Sequence, residues 1–300
     1  MTIQVEPLTS HPMFSACHAL QRAIGAGDAL SAPTLVSIQR SGGLVLGAWD
    51  DTDPTPTLCG CLVDLVSTGR RPGRLTVFRG VLRERRNRGI NLRMRRAERS
   101  LLRADGVEVV RWAIDPLRSV EAHVAMNKLG AIAVGYERDL YGSTDAPQDR
   151  GLATDRLVVE WRIDSPRVCA IIDRRRLPPH FDLGLDRMAV VTRTGAAGDV
   201  RRFLGARHVR TGDVLLAEIP SDLERVREEN HELAREWRLG TRELFEAVLA
   251  DGYLITGFVH EGGRSFHLFE RTDREAAFDR IGGQRSGKDG TGRTSRKWQG

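Results

Sequence analysis

The chain has 300 residues, 40% of them hydrophobic, and a formal charge of +6. That is enough chain for a sizeable core and for two domains, and its composition excludes a wholly disordered or disulfide-built protein. The last stretch, 282–300, sets Arg285, Lys288, Arg293, Arg296 and Lys297 against Asp289 alone, so the body is close to neutral and gives no support for wholesale nucleic-acid binding.

Lysine occurs only at 128, 288 and 297, so arginine supplies nearly all the positive charge. A skew of that kind follows from genome composition as readily as from guanidinium chemistry, so the placement of arginines is informative and their number is not. Cys17, Cys59, Cys61 and Cys169 show neither metal-site spacing nor a disulfide framework. No basic leader with an apolar core opens the chain, and no apolar run approaches membrane-spanning length. The expectation is a soluble, cytoplasmic, bacterial-type protein with no membrane partner.

In chain order, "IQVEPL" alternates as a strand and "HPMFSACHALQRAIGAG" follows as a helix, with Pro12 in its first turn. "TLVSIQRSGGLVLGAWD" and "TLCGCLVDLVSTG" read as two or three strands broken at Gly42-Gly43 and around Pro54 and Pro56. "RLTVFRGVL" is a further strand. Directly after it, Ile90, Met94, Ala97, Leu101 and Ala104 form one apolar stripe, predicting a helix closed by Asp105-Gly106, with its arginines mostly off that stripe. Then come the strand "VEVVRWAI", the turn "DPLRS", a helix through "VEAHVAMNKLG", and strands in "AIAVGYERDLY" and "DRLVVEWRI".

Residues 166–200 are less regular. Beyond them "GDVLLAEIP" reads as a strand, and a long helix starts at Ser221, where Ser221 and Glu224 fit a capping box. Its stripe runs through Asn230 and Trp237 to Val248, with a kink expected at Gly240. "YLITGFVHEGGRSFHLFER" is a hairpin turning at Gly262-Gly263. "LGA" at 129–131 and 204–206 hints at a duplicated module.

The segment 83–99, "RERRNRGINLRMRRAER", carries the chemistry. A helix opening just after a strand presents unpaired N–H groups and the positive end of its dipole, an anion site to which a glycine admits a diphosphate closely. Arg86, Arg88 and Arg93 can add bidentate contacts. The competing reading is a solvated helix face. No Walker loop and no dinucleotide fingerprint is present.

The spacing Arg86-x-x-Gly89-x-Asn91 resembles the R/Q-x-x-G-x-G/A signature of the GNAT (GCN5-related N-acetyltransferase) superfamily, and the element order also agrees. "WAIDPLRSVEAHVAMNKLGA", "DLYG", "TDRLVVEW" and "EWRLGTRELFEAVLADGYLITGFVHEGGRSF" are similar to an uncharacterised two-lobed bacterial branch of it. The resemblance implies an α/β fold with a mixed sheet flanked by helices, and a second, smaller α/β lobe. It implies an acyl-CoA-binding domain at 1–165, an acceptor-shaping lobe at 166–281 and a flexible basic tail at 282–300. The implied donor is acetyl-CoA or another acyl-CoA, held by Val81, Leu82, Arg86, Arg88, Gly89, Ile90, Asn91 and Arg93. The implied acceptor is a small-molecule amine, and a homodimer is allowed.

Asn91 stands where the signature has a small residue, and Met126 where many members carry a proton-donating tyrosine; Glu121 and Ala125 replace asparagines common in that branch. Glu84 acting through a water, or Asp115 at a strand end, is the candidate base. Tyr141, or Tyr136, is the candidate donor to the thiolate. Each has a plainer reading: ion pairing for Glu84, an Asp-Pro turn for Asp115, core packing for a tyrosine. Arg238, Arg242 and Arg264 suit an acidic substrate or simple solvation, and His123, His260 and His267 have no assigned role. Two further readings stay open: a non-catalytic ligand-binding or accessory protein, and a transferase taking aminoacyl-tRNA as donor through the basic tail.

Overall fold

A computed structural model describes residues 3–52, 55–68, 73–144, 146, 147, 149, 151–182, 188–207 and 212–282; the basic tail beyond Gly282 lies outside them. Strand β1 (Ile3–Pro7) leads into α1 (His11–Ile24), which ends on Gly25 in the left-handed conformation at φ +90°. Next comes α2 (Ala32–Arg40). "TLVSIQR" is therefore helical and not a strand. The physical reason is local: Ser31 Oγ accepts from Thr34 N at 3.3 Å, Pro33 suits the first turn, and Leu35 and Ile38 fall on one buried face.

Strands β2 (Leu44–Asp50), β3 (Thr57–Ser67) and β4 (Gly73–Val81) form an antiparallel meander. Helix α3 (Ile90–Ala104) crosses to β5 (Val109–Ile114), parallel to β4. Helix α4 (Ser119–Ala122) continues as a π-helical stretch, His123–Lys128, before β6 (Ile132–Glu137) and β7 (Arg156–Arg162). The irregular region holds α5 (Pro166–Ile172), β8 (Ala189–Val190) and a hairpin of β9 (Thr192–Ala197) and β10 (Val200–Ala206).

After β11 (Val214–Ile219) the long helix divides into α6 (Leu223–Glu229) and α7 (His231–Ala250). Asn230 is extended at φ −161° and caps α7, accepting from Glu232 N at 2.8 Å, so it interrupts the stripe. Asp222, not Ser221, caps α6; Ser221 Oγ donates to Gly263 O at 2.7 Å. Strands β12 (Tyr253–Glu261) and β13 (Arg264–Arg271) turn at Gly262 and Gly263, both with positive φ, and α8 (Arg274–Asp279) closes the described chain.

The fold is a mixed α/β sheet flanked by helices. One sheet runs β1-β2-β3-β4-β5-β7-β6-β12-β13-β11-β8, and Ile255 on β12 pairs with Ala133 on β6 to join its halves. The unit β5-α4-β6-β7 recurs as β11-α6-α7-β12-β13, and in each the last of the three strands sits between the other two. Gly130 and Gly252 enter with φ of +74° and +85°. At equal spacing beyond them, Gly135 and Gly257 each follow a bulge in the hairpin register. The "LGA" at 204–206 lies inside β10 and does not mark this repeat. A single hydrophobic cluster runs through both halves, from Trp112, Met126 and Trp161 to Trp237, Phe245 and Phe269. No described helix is long and apolar enough to cross a membrane.

Candidate functional site

Strands β4 and β5 pair only where Gly73–Leu75 lie beside Val109–Arg111. Beyond that they part, and the edge of β4 facing β5 is left without a ladder. A bulge at Val77, between Thr76 opposite Asp64 and Phe78 opposite Val63, accompanies the parting. Val81 then leads through Leu82, whose N–H donates to Cys59 O at 2.9 Å, into a 3-10 turn at 83–85 and on to α3. The parted strands and the mouth of α3 thus share one end of the sheet.

At that mouth Gly89 is left-handed, φ +72°, and a β-carbon placed on it would meet nothing within 4 Å. No side chain caps the helix, so its first amides are open to a ligand. Asn91 is half-buried and makes no cap; its Oδ1 is buried and has no hydrogen-bond partner. Ile90 is core, packed with Met94 and Leu62. Arg86, Arg88 and Arg93 are exposed around the mouth, and Arg86 Nε donates to Val81 O at 3.4 Å. Glu84 is exposed on the 3-10 turn.

The other arginines of the segment do structural work. Arg85 pairs with Asp50 at 3.1 Å. Arg95 is fully buried and bonds Glu98, while Arg99 donates to Ile163 O at 2.6 Å and to both oxygens of Asp173, tying α3 to α5. These two arginines are exceptions to the expectation that the arginines lie mostly off the stripe, because Arg95 meets the buried Glu98 while Arg99 meets the Ile163 carbonyl and the more exposed Asp173.

Asp115, Tyr136 and Tyr141 lie at the same end of the sheet, since Leu157 on β7 pairs with Ile114 on one side and Tyr136 on the other. Asp115 is buried and its oxygens are committed. Oδ2 accepts from Arg238 Nη2 at 2.7 Å, and Oδ1 accepts from Leu117 N at 2.8 Å. Burial pushes its carboxyl up, but Arg238, the Leu117 N–H and Arg118 outweigh that and hold it below the usual carboxylate range. Tyr136 Oη donates to Asp155 Oδ2 at 2.7 Å; burial first, and then that carboxylate, push its pKa above the usual tyrosine range. Asp155 also accepts from both Arg242 Nε and Nη2, at 2.8 and 2.7 Å. Tyr141 is 58% exposed, its ring beneath the Arg156 guanidinium. Met126 is wholly buried.

Arg238 and Arg242 therefore fasten α7 to the first half of the chain, and Arg264 holds Glu218 at 2.6 Å. Further bonds cross the same seam. Asn127 Nδ2 donates to Phe258 O at 2.8 Å, His267 Nε2 lies 2.7 Å from Pro116 O, and Arg167 donates to Gly130 O and Thr256 O. Sequence reading missed a polar group between the parted strands, made of Asp64, Thr76, Arg79, Arg95, Glu98 and Trp112. Its available signals were a single acid in the apolar run "CLVDLV" and the Arg95–Glu98 spacing on the helix.

Solved structures similar to this chain include several N-acetyltransferases and an acetyltransferase described as of the GNAT family. The ribosomal-protein-S18-alanine N-acetyltransferase from Escherichia coli is 13% identical, with a TM-score of 0.44 over 54% of this chain and 94% of its own. An N-acetyltransferase from Staphylococcus aureus Mu50 is 14% identical, with a TM-score of 0.43 over 54% of this chain and 99% of its own. An aminoglycoside 6'-N-acetyltransferase complexed with coenzyme A is 15% identical, with a TM-score of 0.41 over 54% of this chain and 97% of its own. No protein-family model matches the chain, and no curated protein sequence matches it.

Proposed function

We propose that this chain is an acyl-CoA-dependent N-acyltransferase that moves an acyl group directly to a small-molecule amine. The observation that carries the reading is the uncapped mouth of α3 standing at the end of the unladdered edge of β4. A donor with a diphosphate at one end and amides along its arm suits that pair of features. The diphosphate fits the α3 amides, helped by Arg86, Arg88 and Arg93. The amides of the arm fit the free N–H and C=O groups of β4, as an added strand would.

In the transfer, the amine nitrogen bonds the acyl carbon as the carbon–sulfur bond breaks. A base first takes the ammonium proton, and the thiolate then takes one. Glu84, exposed beside the turn, suits the base acting through water, and Tyr141 suits the donor to sulfur. Asp115, locked to Arg238, positions α7 instead of taking a proton.

Calorimetry with CoA tests the donor site. Gly89→Val, which places a β-branched side chain at the mouth, is expected to weaken CoA about tenfold, roughly 1.4 kcal/mol. Gly89→Asn tolerates the left-handed backbone and controls for strain. Unchanged CoA affinity in the valine variant would count against the reading. A second reading, a ligand-binding protein without turnover, is favoured by the wholly buried Met126 and by the commitment of Asp115 and Tyr136 to ion pairs and hydrogen bonds. Thiol release with any acyl-CoA and amine pair removes it.

A further inference from the structure

Between the parted strands, buried donors of Arg95 and Trp112 stand without hydrogen-bond partners among the described residues. Arg95 bridges it at the vertex: Nη1 donates to Thr76 Oγ1 on β4 at 2.9 Å, and its guanidinium lies 4.1 Å from the ring centroid of Trp112 on β5. The same nitrogen bonds both oxygens of Glu98 at 2.8 Å. Arg95 Nε and Nη2 and Trp112 Nε1 are buried without a hydrogen-bond partner.

Arg79 lies further along β4 on the same face, opposite Leu62. It is half-buried, and among the described residues it makes no ion pair. Burial, then the charge of Arg95, lowers its pKa to about 10; Glu121 on α4, Glu98 and Asp64 act the other way. Glu121 is shared with Arg118. Asp64 and Glu98 are fully buried, and burial raises both carboxyls. Asp64, beside Thr76 and Glu98, is an acid of the same group.

We propose that Arg79 and Arg95, with Trp112 Nε1, receive the carboxylate of an acidic acyl group, so that the preferred donor is the CoA thioester of a dicarboxylic acid and not acetyl-CoA. The inference rests on the donor reading above. A ligand entering at α3 and following β4 reaches Arg79 and then Arg95, so the cations stand where the acyl end stops. An acetyl methyl there leaves buried donors without acceptors, whereas a carboxylate takes charge-assisted, bidentate bonds from them.

Calorimetry on the full chain with acetyl-, malonyl-, succinyl- and glutaryl-CoA decides it. At least one acidic thioester is expected to bind about tenfold or more tightly than acetyl-CoA, and Arg79→Gln is expected to bring that ratio close to one. The wild-type comparison stands whatever the stability of the variant. Equal affinities in the wild-type chain, or a preference that survives R79Q, overturn the proposal and leave the donor reading standing. No binding of any thioester or of CoA itself removes both.

Discussion

Asp115 sits where the ends of parallel strands gather ligands, yet its neighbours give it another task. Its two oxygens meet Arg238 and the Leu117 amide, and Arg238 is 1% exposed with Nε and Nη1 otherwise unpartnered. Removing the carboxylate strands a buried guanidinium. Asp115→Ala is therefore expected to lower unfolding free energy by about 3 kcal/mol, read from urea transitions. The double change Asp115→Leu with Arg238→Met should recover most of that loss, since a well-packed apolar pair replaces a buried ion pair at little net penalty. A small effect of D115A would mean that the pair is not buried as described. The acid alone was visible in the sequence, but its partner is 123 positions away along the chain, beyond any local pattern.

At the scale of elements, α3 and α7 show how a helix serves packing and site together. Met94 and Leu102 bury α3, Arg95 and Arg99 anchor its inner face to β4 and α5, and Gly89 leaves its mouth open. In α7 the helix runs unbroken through Gly240, from His231 to Ala250. The glycine's role is close approach: a β-carbon there would strike the Phe203 ring, which itself packs on Trp237 at 5.7 Å. Gly240→Ala should therefore destabilise by about 1–3 kcal/mol, although alanine favours helix by about 1 kcal/mol. A melting temperature equal to or above the wild-type value would refute that contact.

For the whole molecule, the repeated β-α-β-β units meet edge to edge through β6 and β12 and bury one core. The repeat is incomplete: between β8 and β11 stands the β9–β10 hairpin where α3 stands between β4 and β5, so among the described residues the second unit has no counterpart of the open helix mouth. His180 and His267 lie buried about the seam, and His123 is half-buried beside them. Burial first, with Lys128 beside His123 and Arg167 beside His180, lowers His123 to about 4 and His180 to about 3; burial lowers His267 to about 4 against the opposing pull of Pro116 O and Asp115. An unfolded histidine titrates near 6.5, so between about pH 6.5 and 4 the unfolded chain binds protons that the folded chain refuses. Stability therefore falls as the pH drops through that window, by up to about 4 kcal/mol per pH unit for the three together. The raised carboxyls of Asp64 and Glu98 offset part of this, because they favour the folded state as they take up protons. Urea midpoints measured from pH 7 to pH 5 check the sign; a midpoint that rose on acidification would show that these rings are not held neutral.

The sequence by itself determined what depends on neighbours in the chain. The stripe of Ile90 and Met94 set α3, the left-handed Gly89 opened it, and Gly262-Gly263 turned the last hairpin, because periodicity, caps and positive φ are local properties. Where local signals competed, the nearer cap won: Ser31 made a helix of a strand-like run, and Asn230 cut a continuous stripe in two. Tertiary structure alone decided which arginines are inside, which carboxylate is locked, and where β4 and β5 part. Those outcomes are set by pairings between distant segments, and a buried charge takes its properties from the partner it meets and not from its place in the chain.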